Sequence, residues 1–187
     1  MKTIAFFCLA LFTLNLRAQD IPSRDWQLKT AVLALPVNNQ GEATVLGYDQ
    51  KGKLMTLREG SNAFICLADD PMKDGFSVAA YHKELEPFMA RGRELKAQGK
   101  DAGEIFDIRE KEVKAGTLPM PDKSTLYVAK GTVDANGEVT EVKVRYVVYV
   151  PFETAESTGL SPAPIGPGAP WIMNPGTHRA HIMITPE

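Results

Sequence analysis

The chain is poor in side chains that do chemistry on their own. Its 187 residues contain only two cysteines and three histidines. Cys8 lies in an N-terminal apolar run, so Cys66 is the single thiol in the body of the chain, and an intramolecular disulfide is excluded once that run is removed. Positive charge is not in excess: 21 Lys and Arg stand against 23 Asp and Glu. That balance gives no electrostatic reason to bind nucleic acid or an anionic membrane, where a clustered basic patch would be expected. No apolar run reaches the roughly 20 residues that a membrane-crossing helix needs, so no membrane span is expected. A Walker A loop, a dinucleotide fingerprint, a zincin motif and a G-x-S-x-G elbow are all missing.

What is present begins with a leader. Lys2, an apolar run from Ile4 to Leu14, and Ala18 before Gln19 have the layout of a secretory signal peptide. Cleavage near Ala18 gives a secreted or periplasmic protein of about 169 residues, one domain by length. Lys2 and Arg17 leave with the leader, so 19 basic residues face 23 acidic ones, a net of −4. Residues 19–187 are long enough to bury a core without a disulfide or metal.

The body reads as α+β. Ser23 caps a helix carrying Trp26, Thr30, Leu33 and Val37 at helical spacing, stopped by Pro36, with a strand over Ala31 to Leu35 as the alternative. Strands follow at Ala43 to Tyr48, Lys53 to Arg58 and Ala63 to Ala68, with Phe64, Cys66 and Ala68 on one face. Ser77 opens a helix whose stripe is Val78, Tyr81, Leu85, Phe88, Met89 and Leu95, kinked or broken at Pro87. Asp101 with Glu104 forms a capping box for a further helix, with Ile105, Ile108 and Val113 inward. Its Glu104, Asp107, Glu110 and Glu112 alternate with Arg109, Lys111 and Lys114, the pattern of a solvated face. A long hairpin runs from Thr125 to Val150 through Asn136-Gly137, a type I′ pair. Val142, Val144, Tyr146, Val148 and Val150 share one side of its return strand, and Lys143, Arg145, Val147 and Tyr149 share the other. A Pro/Gly-rich loop fills 155–177 and docks through Trp171 and Met173. A last strand, His181 to Thr185, turns Ile182 and Ile184 to the core and His181 and Met183 away. The expected architecture is a twisted antiparallel sheet packed on one side by helices from the middle of the chain.

Few residues suit chemistry. A thiol nucleophile needs a base and an orienting group; Cys66, His181 and either Asn62 or Asp69 supply the types, though spacing alone does not bring them together. His178 and His181 are weak metal candidates, because positions three apart on an extended chain point to opposite sides; as non-ligands they are surface or capping residues. Cys66, His178, His181 and Met183 have the types of a copper site without its ligand order. Asp70, Asp74 and Gly75 imitate a calcium loop that fails at Met72 and Tyr81. A buried Cys66 acting as a small hydrophobe is the plainer reading. No cofactor is implied.

Arg58-Glu59-Gly60-Ser61-Asn62-Ala63-Phe64-Ile65-Cys66, followed by Asp69-Asp70-Pro71-Met72 and a C-terminal His181-Ile182-Met183-Ile184, resembles a group of small exported bacterial proteins with an R-x-G-[ST]-N-x-aromatic-x-C stretch. The resemblance covers residues 42–95 and the last ten or so, and implies no reaction. It singles out Gly60, Asn62, Cys66 and His181. The chain departs from the group in lacking a second cysteine after Pro71-Met72.

The expected function is a non-enzymatic binding or interaction module, with Trp171, Met173, His178 and Tyr149 as its binding residues and an unknown protein, glycan or small molecule as its ligand. The alternative is a small hydrolase or redox enzyme using Cys66 and His181.

Overall fold

A computed structural model describes residues 21–186; the expected leader lies outside them. The elements form an α+β fold around one eight-stranded, open sheet. The strands are Thr44–Tyr48 (β1), Leu54–Arg58 (β2), Phe64–Leu67 (β3), Phe76–His82 (β4), Ser124–Val133 (β5), Val139–Tyr149 (β6), Trp171–Met173 (β7) and His181–Ile184 (β8). Their order across the sheet is β2-β1-β3-β4-β5-β6-β8-β7, antiparallel throughout except for the parallel pair β1–β3. None of the described helices is long and apolar enough to cross a membrane.

Helices cover both faces of the sheet rather than one. Arg24–Thr30 (α1), capped by the Ser23 hydroxyl, runs on as a 3-10 turn over Ala31–Ala34. Ala31, Val32, Ala34 and Leu35 close the back face against Val45, Cys66, Val78, Ala80 and Ala129. Pro36 ends this run, and Val37 falls off the expected stripe, 81% exposed at the start of a separate turn, Val37–Gln40 (α2). Glu86–Ala97 (α3) and Ala102–Lys114 (α4) cover the front face, where Phe88 and Leu85 meet Tyr81, Leu126 and Val147. Arg91 joins the two helices through a bidentate pair with Glu112, the closest approach being 2.6 Å.

The helix expected from Ser77 is a strand up to His82. Phe76, Val78 and Ala80 alternate onto the back face, and β4 hydrogen-bonds to strands on both sides, so pairing overrides the helical spacing of Val78, Tyr81 and Leu85. The helix starts nine residues later, at Glu86, which places Pro87 in its first turn, where a missing N–H costs nothing and no kink forms. The capping box at Asp101 and Glu104 is present. The hairpin turn is not type I′: Asn136 lacks a positive φ, and only Gly137 (φ 79°) takes one. The Asp134 carboxylate accepts the N–H groups of Asn136 and Glu138 and rounds the bend. A bulge at Glu141 (φ 52°) breaks the β5–β6 register between Lys130 and Thr132.

The C-terminal strand is inverted relative to expectation. His181 and Met183 are the buried pair, and Ile182 and Ile184 are half-buried. The reason is the cover: the front face at this end lies beneath the Tyr149 and Phe88 cluster, whereas Ile182 meets only the small group around Val150 and Ile172. The Pro/Gly-rich stretch contains a short helix, Ala155–Thr158 (α5), and the edge strand β7, held by the Ile172 N–H on the Ser161 carbonyl at 2.9 Å.

Candidate functional site

Cys66 sits in the middle of β3 with no exposed surface, on the back face beside Val45 and Ala80. Burial pushes its thiol up to about 12, against a small opposing pull from Arg58. His181 is on the front face of β8. Three strands lie between the two, a separation of about 19 Å at the usual strand spacing. The structure therefore does not bring Cys66 and His181 together.

The R-x-G-S-N stretch acts as a clasp around the entry to β1. Arg58 donates to the carbonyls of Ala43 (3.0 Å) and Gln40 (2.6 Å). The N–H groups of Ser61 and Asn62 both reach the Glu42 carbonyl. Asn62 donates to the Asn39 carbonyl and accepts the Phe64 N–H, so its amide is occupied on both sides. Gly60 packs so tightly that a Cβ there would stand 2.2 Å from the Thr44 nitrogen. Asp69 is likewise occupied, accepting the Ser77 N–H at 2.8 Å.

His178 is not the surface residue expected from the sequence. It has no exposed surface, and its ring lies edge-on to Phe106 (4.7 Å between centroids) and Phe88 (5.5 Å). Its backbone N–H and its ring Nδ1 both meet the Glu110 carboxylate. Burial, with Arg109 and Arg179 nearby, outweighs Glu110 and holds the imidazole below its ordinary value, so it is neutral. Burial alone would push Glu110 up; Lys114 and the two His178 contacts overcome it and hold the carboxyl at about 2. Among the described residues no three His, Cys, Asp or Glu side chains cluster as a metal site.

The residues that do converge are on the front face of β5, β6 and β8, beside the helices. A groove of about 360 Å³ runs along these strands. Leu126, Val128, Val147 and Met183 floor its middle. Lys130, Lys143 and Arg145 rim one end; Tyr149, His181 and Arg179 close the other. The register separates these ends by about six residues, or about 20 Å. Among the described residues no carboxylate lines the groove. Beyond Arg145 and Thr185 the surface continues as a second depression walled by Trp171, Pro164 and Pro167. Met173 packs on the same front-face cluster, opposite His181.

The Arg179 end has unusual electrostatics. Arg109, expected on a solvated helix face, is 8% exposed; its guanidinium lies 4.1 Å over the Phe88 ring, in room that Gly92 leaves open. It donates to the Phe88 carbonyl at 3.3 Å, and its Nε has no partner among the described residues. Burial first, then the Arg179 charge, bring it down to about 10. The Arg179 Nε is also buried without a partner among the described residues. Burial raises the Tyr149 hydroxyl, so it is a neutral donor, with both arginines pulling the other way. His181 gives its Nδ1 hydrogen to the Arg179 carbonyl at 2.6 Å, which leaves the lone pair on Nε2; burial keeps the ring neutral.

Comparison of the chain with protein-family models, with curated proteins and with solved structures returned no match.

Of the residues expected from sequence, Tyr149, His181, Trp171 and Met173 fall on this one surface, while His178 lies beneath it and Cys66 and Asn62 lie elsewhere. Sequence reasoning missed Arg179, Arg109, Lys130, Lys143 and Arg145. The usable signal was the Lys143/Arg145 alternation in phase with Val147 and Tyr149, which puts cations and apolar side chains on one face of one strand.

Proposed function

We propose that the chain is an exported, non-enzymatic binding module whose groove takes a small amphipathic anion. One observation carries this reading: an apolar floor rimmed by four cations, Lys130, Lys143, Arg145 and Arg179, with no acid among the described lining residues. A surface cation is normally balanced by a nearby carboxylate or by water; four around one apolar strip favour an anion with an apolar body. The volume of about 360 Å³ lies in the range of small-molecule sites and suits a single extended chain or flat ring system rather than a folded partner. The leader sequence supports export. A wider cleft of about 820 Å³ between Trp26, Phe76 and Gly137 has both Asp69 and Lys73 on its walls and no comparable charge bias.

Calorimetry with three twelve-carbon probes below their micelle concentrations tests the reading. Dodecanoate is expected to bind with a dissociation constant on the order of 10 μM, and more weakly as salt is added. Dodecanol should bind less well and dodecyltrimethylammonium least. Equal binding of anion and cation, or no binding of the anion, overturns it.

A further inference from the structure

We propose that the ligand's anionic head sits at the Arg179 end of the groove, against the Arg179 guanidinium and the Tyr149 hydroxyl, and that the head is a carboxylate with a hydroxyl or amide N–H on the neighbouring carbon, which donates to His181 Nε2. This rests on the reading of the groove as an anion site.

The two ends of the groove differ. Lys130, Lys143 and Arg145 are exposed, and the Arg145 Nε already donates to the Thr185 hydroxyl at 2.9 Å. Water satisfies such charges, and they contribute long-range attraction more than fixed contacts. At the far end Arg179 is half-buried and pairs with no carboxylate among the described residues. The Arg109 and Arg179 Nε atoms are enclosed and lack partners among the described residues, and the Arg179 charge disfavours that of Arg109. Neither nearby acid is free: Glu110 is held by His178 and Lys114, and Glu112 by Arg91. A buried polar atom without a partner is rare, and the outer nitrogens of the Arg179 guanidinium, which lines the groove, are left for a ligand anion. Arg109 is closed in by Phe88 and α3, so Arg179 makes the contact and Arg109 adds charge behind it.

The donor and acceptor set then specifies the head. Arg179 and Tyr149 offer hydrogens to an anion. His181 offers only a lone pair, because its Nδ1 hydrogen is committed to the Arg179 carbonyl. Tyr149 and His181 stand with ring centroids 5.4 Å apart, so both reach one small group. A bare carboxylate would face that lone pair with another; a 2-hydroxy or 2-acylamino carboxylate meets all three groups. Its apolar tail then lies over Val147, Leu126 and Val128 toward the lysines.

Titration of dodecanoate and 2-hydroxydodecanoate into the full chain tests this. The hydroxy acid should bind about fivefold to tenfold more tightly, the value of one hydrogen bond to an otherwise empty acceptor. Arg179→Met should weaken both acids about 10- to 100-fold. The double change Lys130→Gln with Lys143→Gln should cost about threefold or less. His181→Phe should abolish the preference between the acids yet still bind dodecanoate. If that variant does not fold, nitrogen NMR of the native histidines replaces it: the His181 Nε2 signal should move with the hydroxy acid and stay with dodecanoate. Equal affinity for the two acids, or a larger loss from the lysine pair than from Arg179→Met, overturns the head-group assignment and leaves the groove reading standing. Failure of both acids to bind sinks the two together.

Discussion

The Glu110 carboxylate accepts both the backbone N–H of His178, at 2.9 Å, and its ring Nδ1 hydrogen. The contact ties α4 to the residue just before Arg179, and so fixes the loop that presents Arg179 and His181 to the groove. Both partners are largely buried, and the His178 side chain is fully so. Glu110→Ala is therefore expected to destabilise the fold by about 2–3 kcal/mol, because two donors lose their acceptor away from water. Urea unfolding checks it, and a loss below about 0.5 kcal/mol would show that the clasp is incidental.

Acid should weaken the protein in two stages. His178 and His181 are both held below the ordinary 6.5, burial being the main cause. The unfolded chain takes up protons there that the folded chain refuses, so their contribution is complete above that value and declines as pH falls through it. Glu110 is held at about 2 against an ordinary 4.5, so its contribution is complete above 4.5 and is lost as pH drops toward 2. The urea midpoint should fall from about pH 7.5 to about pH 5.5, and fall again below about pH 4.5. A His178→Phe variant should lose part of the first step. A midpoint that is flat or rising over the upper interval would contradict the assignment of neutral buried imidazoles.

Cys66 should behave as packing. With no exposed surface and a thiol pushed up to about 12, it should resist thiol reagents in the native protein and react at once in denaturant. Cys66→Ser should cost about 1–3 kcal/mol, since the hydroxyl finds no partner among Val45, Ala80 and their neighbours. Rapid native labelling would put this thiol at a surface that the fold does not give it.

Gly60→Ala should be among the most damaging small changes. The added Cβ would stand 2.2–2.4 Å from backbone atoms of Glu42, Ala43 and Thr44, which cannot step aside without opening the start of β1. A loss of about 3 kcal/mol or more is expected, read from the thermal midpoint. Asn62→Ala, which removes two hydrogen bonds but adds no clash, should cost about 1–2 kcal/mol. A harmless Gly60→Ala would mean that the start of β1 yields to the added methyl and that the clasp does not hold it.

Several elements were legible before any coordinates. The Asp101/Glu104 box, the β5–β6 hairpin and the docking of the Trp171 loop need only local chemistry and alternation. Tyr149 and His181 line the groove and Trp171 walls the neighbouring depression, while Met173 packs in the front-face cluster and His178 lies beneath it. The stretch at Ser77 misled because Val78, Tyr81, Leu85 and Phe88 satisfy a helical period, while Phe76, Val78 and Ala80 satisfy a strand period over the same residues. Pairing with β3 on one side and β5 on the other decides between them, and those partners are about 15 and 50 residues away in the chain.

The sequence by itself determined the α+β character, the isolation of the one body thiol and the shortage of reactive groups, because composition and period are local quantities. Only the tertiary structure decided which charges lack partners. Arg109 reads as one more cation on a salt-bridged helix until α3 and Phe88 close over it, and Arg179 reads as a loop residue until β8 sets it beside Tyr149. Charge balance depends on which side chains share a buried space, and that is fixed by contacts between residues far apart in the chain.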